Sequence, residues 1–328
     1  MELLEPQLNF SPSGVIEPSD WGLILAEGPD AGSFLQGQLT NDVLLLPVGQ
    51  SRFSGYCSAK GRLLASFIVL KLSSEKYLMV CHQNLIAATV KRLSMFVLRA
   101  KVKLTDASSD FQTLAYLGQA ATDVSPALHA AAPWHVRQQA ESYFIQLHPA
   151  KSASGSLARV LQISPNNTSN ATPLKPESVK PISIQDWQMA EVLSGISMVQ
   201  SQTSEAFVPQ MMNYESVEGV SFKKGCYPGQ EVVARSQFRG TLKRRAFIVS
   251  CNEPMQVGQE VFSSDDAEQA CGMISSAAKL EIEGSQQAQW WGIASLQLSA
   301  MQNPLHLGQA GGPAMQPYAL PYPLLEDI

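Results

Sequence analysis

The sequence predicts an α+β protein that ends in a small antiparallel barrel or sandwich. The first third reads β-β-β-α-β with one long amphipathic helix, an order that suits an antiparallel sheet covered on one face. From Leu242 to Leu298 the pattern changes to short β-prone runs parted by Gly, Asn and Asp. At 328 residues the chain exceeds one small core, so roughly two or three domains are expected.

The elements follow in order. Trp21–Glu27 is a buried strand, and Gly28-Pro29-Asp30 opens a short helix that ends near Gly37. Ser51–Cys57 and Arg62–Leu72 are strands joined by Ser58-Ala59-Lys60-Gly61, a hairpin in which Gly61 supplies positive φ. A turn at Ser73–Glu75 leads to a third strand, Lys76–Cys81. The helix from Asn84 sets Ile86, Val90, Leu93 and Val97 on one face, and Lys101–Thr105 returns as a strand. Ser164–Pro181 is polar, proline-rich and aperiodic, a mobile linker. Ser183 and Asp186 form a capping box for a helix carrying Trp187, Ala190 and Leu193 on one side and ending at Gly195. Ala246–Cys251, Glu260–Ser263, Gly272–Ala278 and Gln289–Leu296 are the later strands, and the proline-rich end is expected to lie extended along a surface.

Composition excludes several classes. With 45% hydrophobic and 16% charged residues the chain is globular, and a net charge of −5 argues against a generally basic nucleic-acid coat. MELLEPQLNFSPSG lacks the cationic and apolar regions of a signal peptide, and no apolar run approaches the roughly 20 residues of a membrane helix. Cys57, Cys81, Cys226, Cys251 and Cys271 are scattered without a C-x-x-C pair. That fits free thiols in a reducing compartment and excludes a standard zinc or four-cysteine cluster site. The expectation is a soluble cytoplasmic protein with no membrane partner.

Chemistry concentrates in FKKGCYPGQEVVARSQFRG, Phe222–Gly240. Pro228 suits the first turn of a helix that continues through Glu231, Val232, Val233, Arg235 and Phe238. Cys226 then sits just before a helix N-terminus with Lys223 and Lys224 close by, which favours thiolate over thiol. The same residues also allow a bent connection in which Cys226 is a small buried filler.

Lys224-Gly225-Cys226-Tyr227 with Gly229-Gln230-Glu231, followed by Val233-Ala234-Arg235 and Phe238-Arg239-Gly240, resembles the signature of the bacterial YgfZ family of folate-binding tRNA-modifying proteins. Phe34–Val43, Cys57–Arg62, Phe207-Val208-Pro209-Gln210 and Gly219–Phe222 resemble further family motifs in the expected order. That family shares its fold with the aminomethyltransferase (T-protein) of the glycine cleavage system. The resemblance implies a three-domain ring: two α+β, ferredoxin-like lobes interleaved over 1–240, one centred on about 48–106, and a C-terminal antiparallel β-barrel over 241–328. It implies that tetrahydrofolate or a derivative lies between Trp21 and Trp187. Cys226 becomes the functional thiol, supported by Lys223, Lys224, Gly225, Tyr227, Gly229, Gln230, Glu231 and Arg235.

The resemblance also implies a role in iron–sulfur cluster assembly or repair, with the iron–sulfur enzymes that modify tRNA as partners of a monomer. One such cysteine cannot form a four-thiolate cage, so no stable metal or cluster is expected. Lys223, Lys224, Arg235, Arg239, Lys243, Arg244 and Arg245 crowd into 223–245, suiting a folate polyglutamate tail, RNA phosphates or an acidic surface, or simply a solvated face. No aromatic-interleaved motif accompanies them, so direct tRNA contact is not expected.

Two departures stand out. Gly61–Ser66 has no carboxylate where the T-proteins carry a catalytic aspartate, which disfavours aminomethyl transfer. Counting back from Gly195 places Leu193 at the family's pterin-binding glutamate, with Glu191 about 200° away around the helix. The rival readings are a folate-dependent one-carbon transferase and a non-enzymatic scaffold with a vestigial folate site.

Overall fold

The structure, a computed structural model, describes residues 3–128, 130–166, 179–238, 242–281 and 288–325. The expected linker core at 167–178, and Arg239 and Gly240, lie outside the described residues. Among the described residues, two five-stranded antiparallel sheets and a closed six-stranded antiparallel barrel carry the fold. The first sheet runs Ser51–Cys57, Leu63–Lys71, Lys76–His82, Trp21–Glu27, Lys103–Asp106 across its width. The second runs Gly14–Ile16, Phe111–Leu117, Arg159–Pro165, Ser142–Gln146, Val136–Gln139. The barrel closes from Arg244–Cys251 through Ala288–Gln297, Gly272–Glu281, Glu260–Ser263 and Leu305–Leu307 to Ala314–Tyr318.

Local sequence explains these elements. Ala65, Phe67, Ile68, Val69 and Leu70 are all buried, as a strand covered on both faces requires. The hairpin turns at Gly61 with φ +71, and Gly229, φ +77, packs on that turn. A Cβ on Gly229 would stand 2.4 Å from the Ser58 carbonyl oxygen and 2.5 Å from the Gly61 Cα, so the hairpin and the 226–229 loop fit only as glycine against glycine.

Three expectations change. The helix expected from Asn84 opens as a 3₁₀ turn, Gln83–Leu85, and its α-helical part stops at Ser94, so Val97 lies beyond it. The capping box forms, with Ser183 Oγ accepting from the Asp186 N–H at 3.0 Å and Asp186 Oδ2 accepting from the Ser183 N–H at 3.1 Å. However, the helix it opens, Ile184–Leu193, buries Trp187, Met189, Ala190, Val192 and Leu193 rather than one side alone. The cause is its position, wedged between the barrel strand Gly272–Glu281 and the ribbon strand Ala150–Ser152. Finally, the chain's end does not merely lie on a surface. The Tyr322 hydroxyl donates to the Gly195 carbonyl at 2.7 Å, and the Leu325 carbonyl accepts from Arg245 at 2.7 Å, strapping the tail to the body.

The glycine contact yields a stability test. Gly229→Ala is expected to lower the thermal midpoint by roughly 4–8 °C, because a left-handed backbone and a backbone clash coincide there. Gly225→Ala, where a Cβ meets nothing within 4 Å, should leave the midpoint unchanged in the same calorimetric scan.

Candidate functional site

Cys226 is exposed, whereas Cys57, Cys81, Cys251 and Cys271 are buried. Burial pushes the Cys57 and Cys81 thiols up to about 12. The filler reading of Cys226 therefore fails, and so does its placement at a helix terminus. The helix starts at Gln230, four residues on, and Gly229 at φ +77 separates it from Pro228, which lies in the preceding turn. The polar neighbour that the fold supplies is Lys224. Its ammonium is buried, donates to the backbone oxygens of Gln36 and Leu39, and stands 4.9 Å from the Tyr227 ring centroid. Burial lowers the Lys224 ammonium to about 8, with Asp42 and Cys226 pulling the other way. Lys224, the buried Tyr227 ring and Gly229 thus hold the loop, while Gly225 and Cys226 face outward.

The cations do not form one basic face. Arg245 is buried in an ion pair with Glu215, and Arg244 donates to the Cys271 carbonyl at 3.0 Å. Arg235 pairs with Glu231 at 2.6 Å on an exposed helix turn, an arrangement that stabilises little. Lys223 and Lys243 are exposed.

The second constellation lies where the two sheets and the barrel meet. A cavity of about 310 Å³ is walled by Asp20, Trp21 and His82 from the first sheet and its edge, Gln188 and Glu191 from the buried helix, and Ser276 and Ala277 from the barrel. Behind it a recess of about 20 Å³ shares Trp21, Glu191, Ile196 and Met198, and adds Trp134, His148 and Arg159 from the second lobe. Trp134, at φ +70, stacks on Phe53 and divides this recess from an open outer groove of about 800 Å³ reaching Arg52 and Lys223.

Trp21 and Trp187 do meet, but edge to face, with centroids 5.8 Å apart and planes at 73°. No ring fits between indoles in that contact, so the expected sandwich is replaced by a wall with Trp21 on the cavity side. Trp187 is wholly buried behind it, with the Arg159 guanidinium 4.6 Å from its ring centroid. Glu191, not Leu193, reaches the cavity. Glu191 lies one turn after Trp187, at i+4, and therefore on the same helix face, whereas Leu193 is fully buried in the core.

Electrostatics sharpen the site. Burial, then Asp20, pushes the Glu191 carboxyl up to about 8, against Arg159 and a hydrogen bond from the Trp21 indole. It is therefore largely protonated at neutral pH. His148 is lowered to about 4 by burial and by Arg159, and is neutral. Arg159 falls only to about 10 and stays charged. Several buried polar atoms have no protein partner: Asp20 Oδ1, Trp187 Nε1 and Arg159 Nε. A ring with a polar edge suits such walls, and the cavity volume fits the head of a folate better than the whole molecule. Arg159, His148 and Trp134 are isolated in the sequence and carry no motif; only the fold assembles them. Cys226 lines neither the cavity nor the recess.

Residues 11–164 match the GCVT N-terminal domain. The tRNA-modifying protein YgfZ of Photobacterium profundum is 31% identical over 261 residues, covering 79% of this chain and 75% of that protein. The chain belongs to the YgfZ family. Another YgfZ protein, from Sodalis glossinidius, is 28% identical over 328 residues, covering 96% of this chain and 94% of its own. The aminomethyltransferase T of the glycine cleavage system from Bartonella henselae superimposes with a TM-score of 0.67 at 16% identity, covering 97% of this YgfZ-family chain and 88% of its own. The fold is thus aminomethyltransferase-like, with the closed barrel at its C-terminal end. No helix among the described residues is long and apolar enough to cross a membrane, and no group of three or more metal-ligating side chains occurs among them.

The raised Glu191 carboxyl makes a signed prediction. Its folded-state value exceeds the unfolded one, so its stabilising contribution is complete below the ordinary carboxylate range and is lost as pH rises through about 8. Glu191→Gln should therefore gain stability relative to the parent by roughly 2–4 kcal/mol between pH 5 and 8.5 in paired denaturant titrations.

Proposed function

We propose that this chain binds a reduced folate in the cavity walled by Trp21 and Glu191, and supports tRNA modification through iron–sulfur enzymes, with Cys226 as the functional thiol. The observation that carries the folate reading is the Glu191 carboxyl, which lines one cavity with the Trp21 indole and the unpartnered Asp20 Oδ1. A pterin offers adjacent N–H donors; an ionised carboxylate accepts both. Residues 1–240 form the folate-binding region, and the domain at 241–328 closes the cavity through Ser276 and Ala277. Family membership and the names of the relatives support the tRNA-modifying role. A reduced folate supplies a one-carbon carrier. Aminomethyl transfer is not part of the proposal, because strand Leu63–Lys71 bears no carboxylate.

Cys226 is reachable from solvent on a loop fixed by Lys224 and Tyr227, the placement a thiol needs to meet a partner protein. A single thiol of this kind serves transient rather than permanent sulfur or cluster contact. The protein acts as a cytoplasmic monomer that meets its client enzymes and leaves tRNA contact to them.

Binding should be linked to protons. The free Glu191 carboxyl titrates near about 8, and accepting two N–H groups pulls it down, so binding below that pH releases a proton. Tetrahydrofolate affinity, followed by quenching of tryptophan fluorescence, should rise by up to about tenfold per pH unit from 6 to 7.5 and level off above 8. Glu191→Gln should flatten the profile and weaken binding at pH 8 by about 10–100-fold. A flat profile in the parent protein would place folate elsewhere. For the thiol, Cys226→Ser and Cys226→Ala should fail to restore iron–sulfur enzyme activity in a strain lacking its own family member; full restoration removes Cys226 from the proposal.

A further inference from the structure

Arg159 is a charged side chain whose surroundings do not use it fully. It is only 4% exposed and lies over the Trp187 face at 4.6 Å. One terminal nitrogen donates to the His148 carbonyl at 3.3 Å, a long bond, and Nε has no acceptor at all. A buried guanidinium N–H left open is destabilising unless something accepts from it. The carboxyl of Glu191 does not fill that role as a tight ion pair: no salt bridge joins the two side chains among the described residues.

The space beside Arg159 is the recess of about 20 Å³. That volume holds one oxygen-sized atom, since about 10–15 Å³ of such space takes a single water. Its walls are shared with the larger cavity at Trp21, Glu191, Ile196 and Met198, so a ring seated in the cavity against Trp21 presents its edge toward the recess. Glu191 belongs to both spaces, Arg159 to the recess alone. An acceptor-lined mouth followed by a donor at the back is the complement of an edge that reads donor, donor, acceptor.

We propose that Arg159 is the specificity residue that reads the 4-oxo oxygen of a bound pterin in this recess, while Glu191 accepts from the neighbouring N3–H and 2-amino groups. The proposal rests on the folate reading above and goes one step further, to the chemical identity of the edge. A 2,4-diamino pteridine places an N–H donor where the oxygen belongs, facing a guanidinium that has only donors to offer, and its unprotonated N3 has no hydrogen for Glu191 to accept. Arg159 and Glu191 therefore both favour the oxo head, and substituting Arg159 isolates its share.

The test compares tetrahydrofolate with tetrahydroaminopterin, which differs at that position, by tryptophan fluorescence and by isothermal calorimetry. The unaltered protein is expected to prefer tetrahydrofolate by about 100-fold or more, because the amino head leaves buried polar groups of the site unpaired. Arg159→Met should cut the preference at least about tenfold, leaving the part due to the N3–H that Glu191 accepts, and Arg159→Lys, which keeps the charge and loses the fork, should cut it at least about threefold. Circular dichroism checks that each variant folds; if neither does, Glu191→Ala, which removes the acceptor for N3–H and keeps Arg159, should retain at least about a tenfold preference, and its loss overturns the role of Arg159. Equal binding of both compounds overturns the role of Arg159 and leaves the folate reading standing. Binding of neither at up to roughly 1 mM overturns the folate reading and this one with it.

Discussion

The helix Ile184–Leu193 is buried along most of its length from Trp187 onward, and the cavity, its charges and the chain's last strap all depend on that. A helix inserted between a barrel strand and a ribbon of the second lobe is held by what its two termini bond, because its open N–H and C=O groups need partners there. At one end Ser183 and Asp186 satisfy each other; at the other Gly195 turns at φ +70 and its carbonyl accepts from Tyr322. A Cβ at Gly195 would stand 2.9 Å from Leu320 and 3.0 Å from Tyr322, so the tail and the helix end are fitted to one another. With both ends fixed, the rotation of the helix is fixed too, and Trp187 and Glu191 share one face.

That rotation brings a carboxyl, a guanidinium and an imidazole into one low-dielectric space, where they settle by proton occupancy. Glu191 rises to about 8, His148 falls to about 4, and Arg159 alone keeps its charge. Elsewhere the same fold solves a buried charge differently: Glu215 meets Arg245 directly, and Arg245 also donates to the Leu325 carbonyl. There each charge meets its opposite directly, although Glu215 Oε2 has no further partner among the described residues, and the pair is structural. The cavity groups are left without direct ion pairs among these residues, and unpartnered Asp20 Oδ1 and Arg159 Nε stand at an open space that can take a ligand.

Much of this was legible in the sequence because period-2 patterns and turn residues act locally. Trp21–Glu27, Ser51–Cys57 and Glu260–Ser263 have the boundaries read from sequence, and Gly61 turns the hairpin as its position requires. The Phe222–Gly240 spelling led to the family, and the relatives bear it out. What was illegible depends on three-dimensional phase. Counting back from Gly195 points to Leu193; the face of Trp187 points to Glu191, and the helix turns by its faces. Pro228 has a φ that suits a helix start, but the left-handed Gly229 after it postpones the helix to Gln230. Arg159 is one arginine on a buried strand, and only the approach of the second sheet to the helix makes it part of a site.

The cavity and the thiol are built by opposite rules. Around the cavity, side chains are buried with polar atoms left open, so the missing partners are small and enter from the junction of the three units. At the loop, the residues on either side of the thiol are tied: Lys224 to two carbonyls and an aromatic face, Gly229 to the hairpin. Fixing a short loop through its neighbours while leaving Cys226 and Gly225 in solvent removes conformational freedom from the thiol without covering it. A group presented in this way is matched to a partner that brings its own surface. Because Cys226 lines neither space of the cavity, a ligand seated against Trp21 does not reach the thiol in this conformation. Any chemical dependence of one on the other has to run through the protein between them. The hairpin, on which the cysteine loop packs through Gly229 and whose strand supplies Ile68 to the recess wall, is the element that touches both.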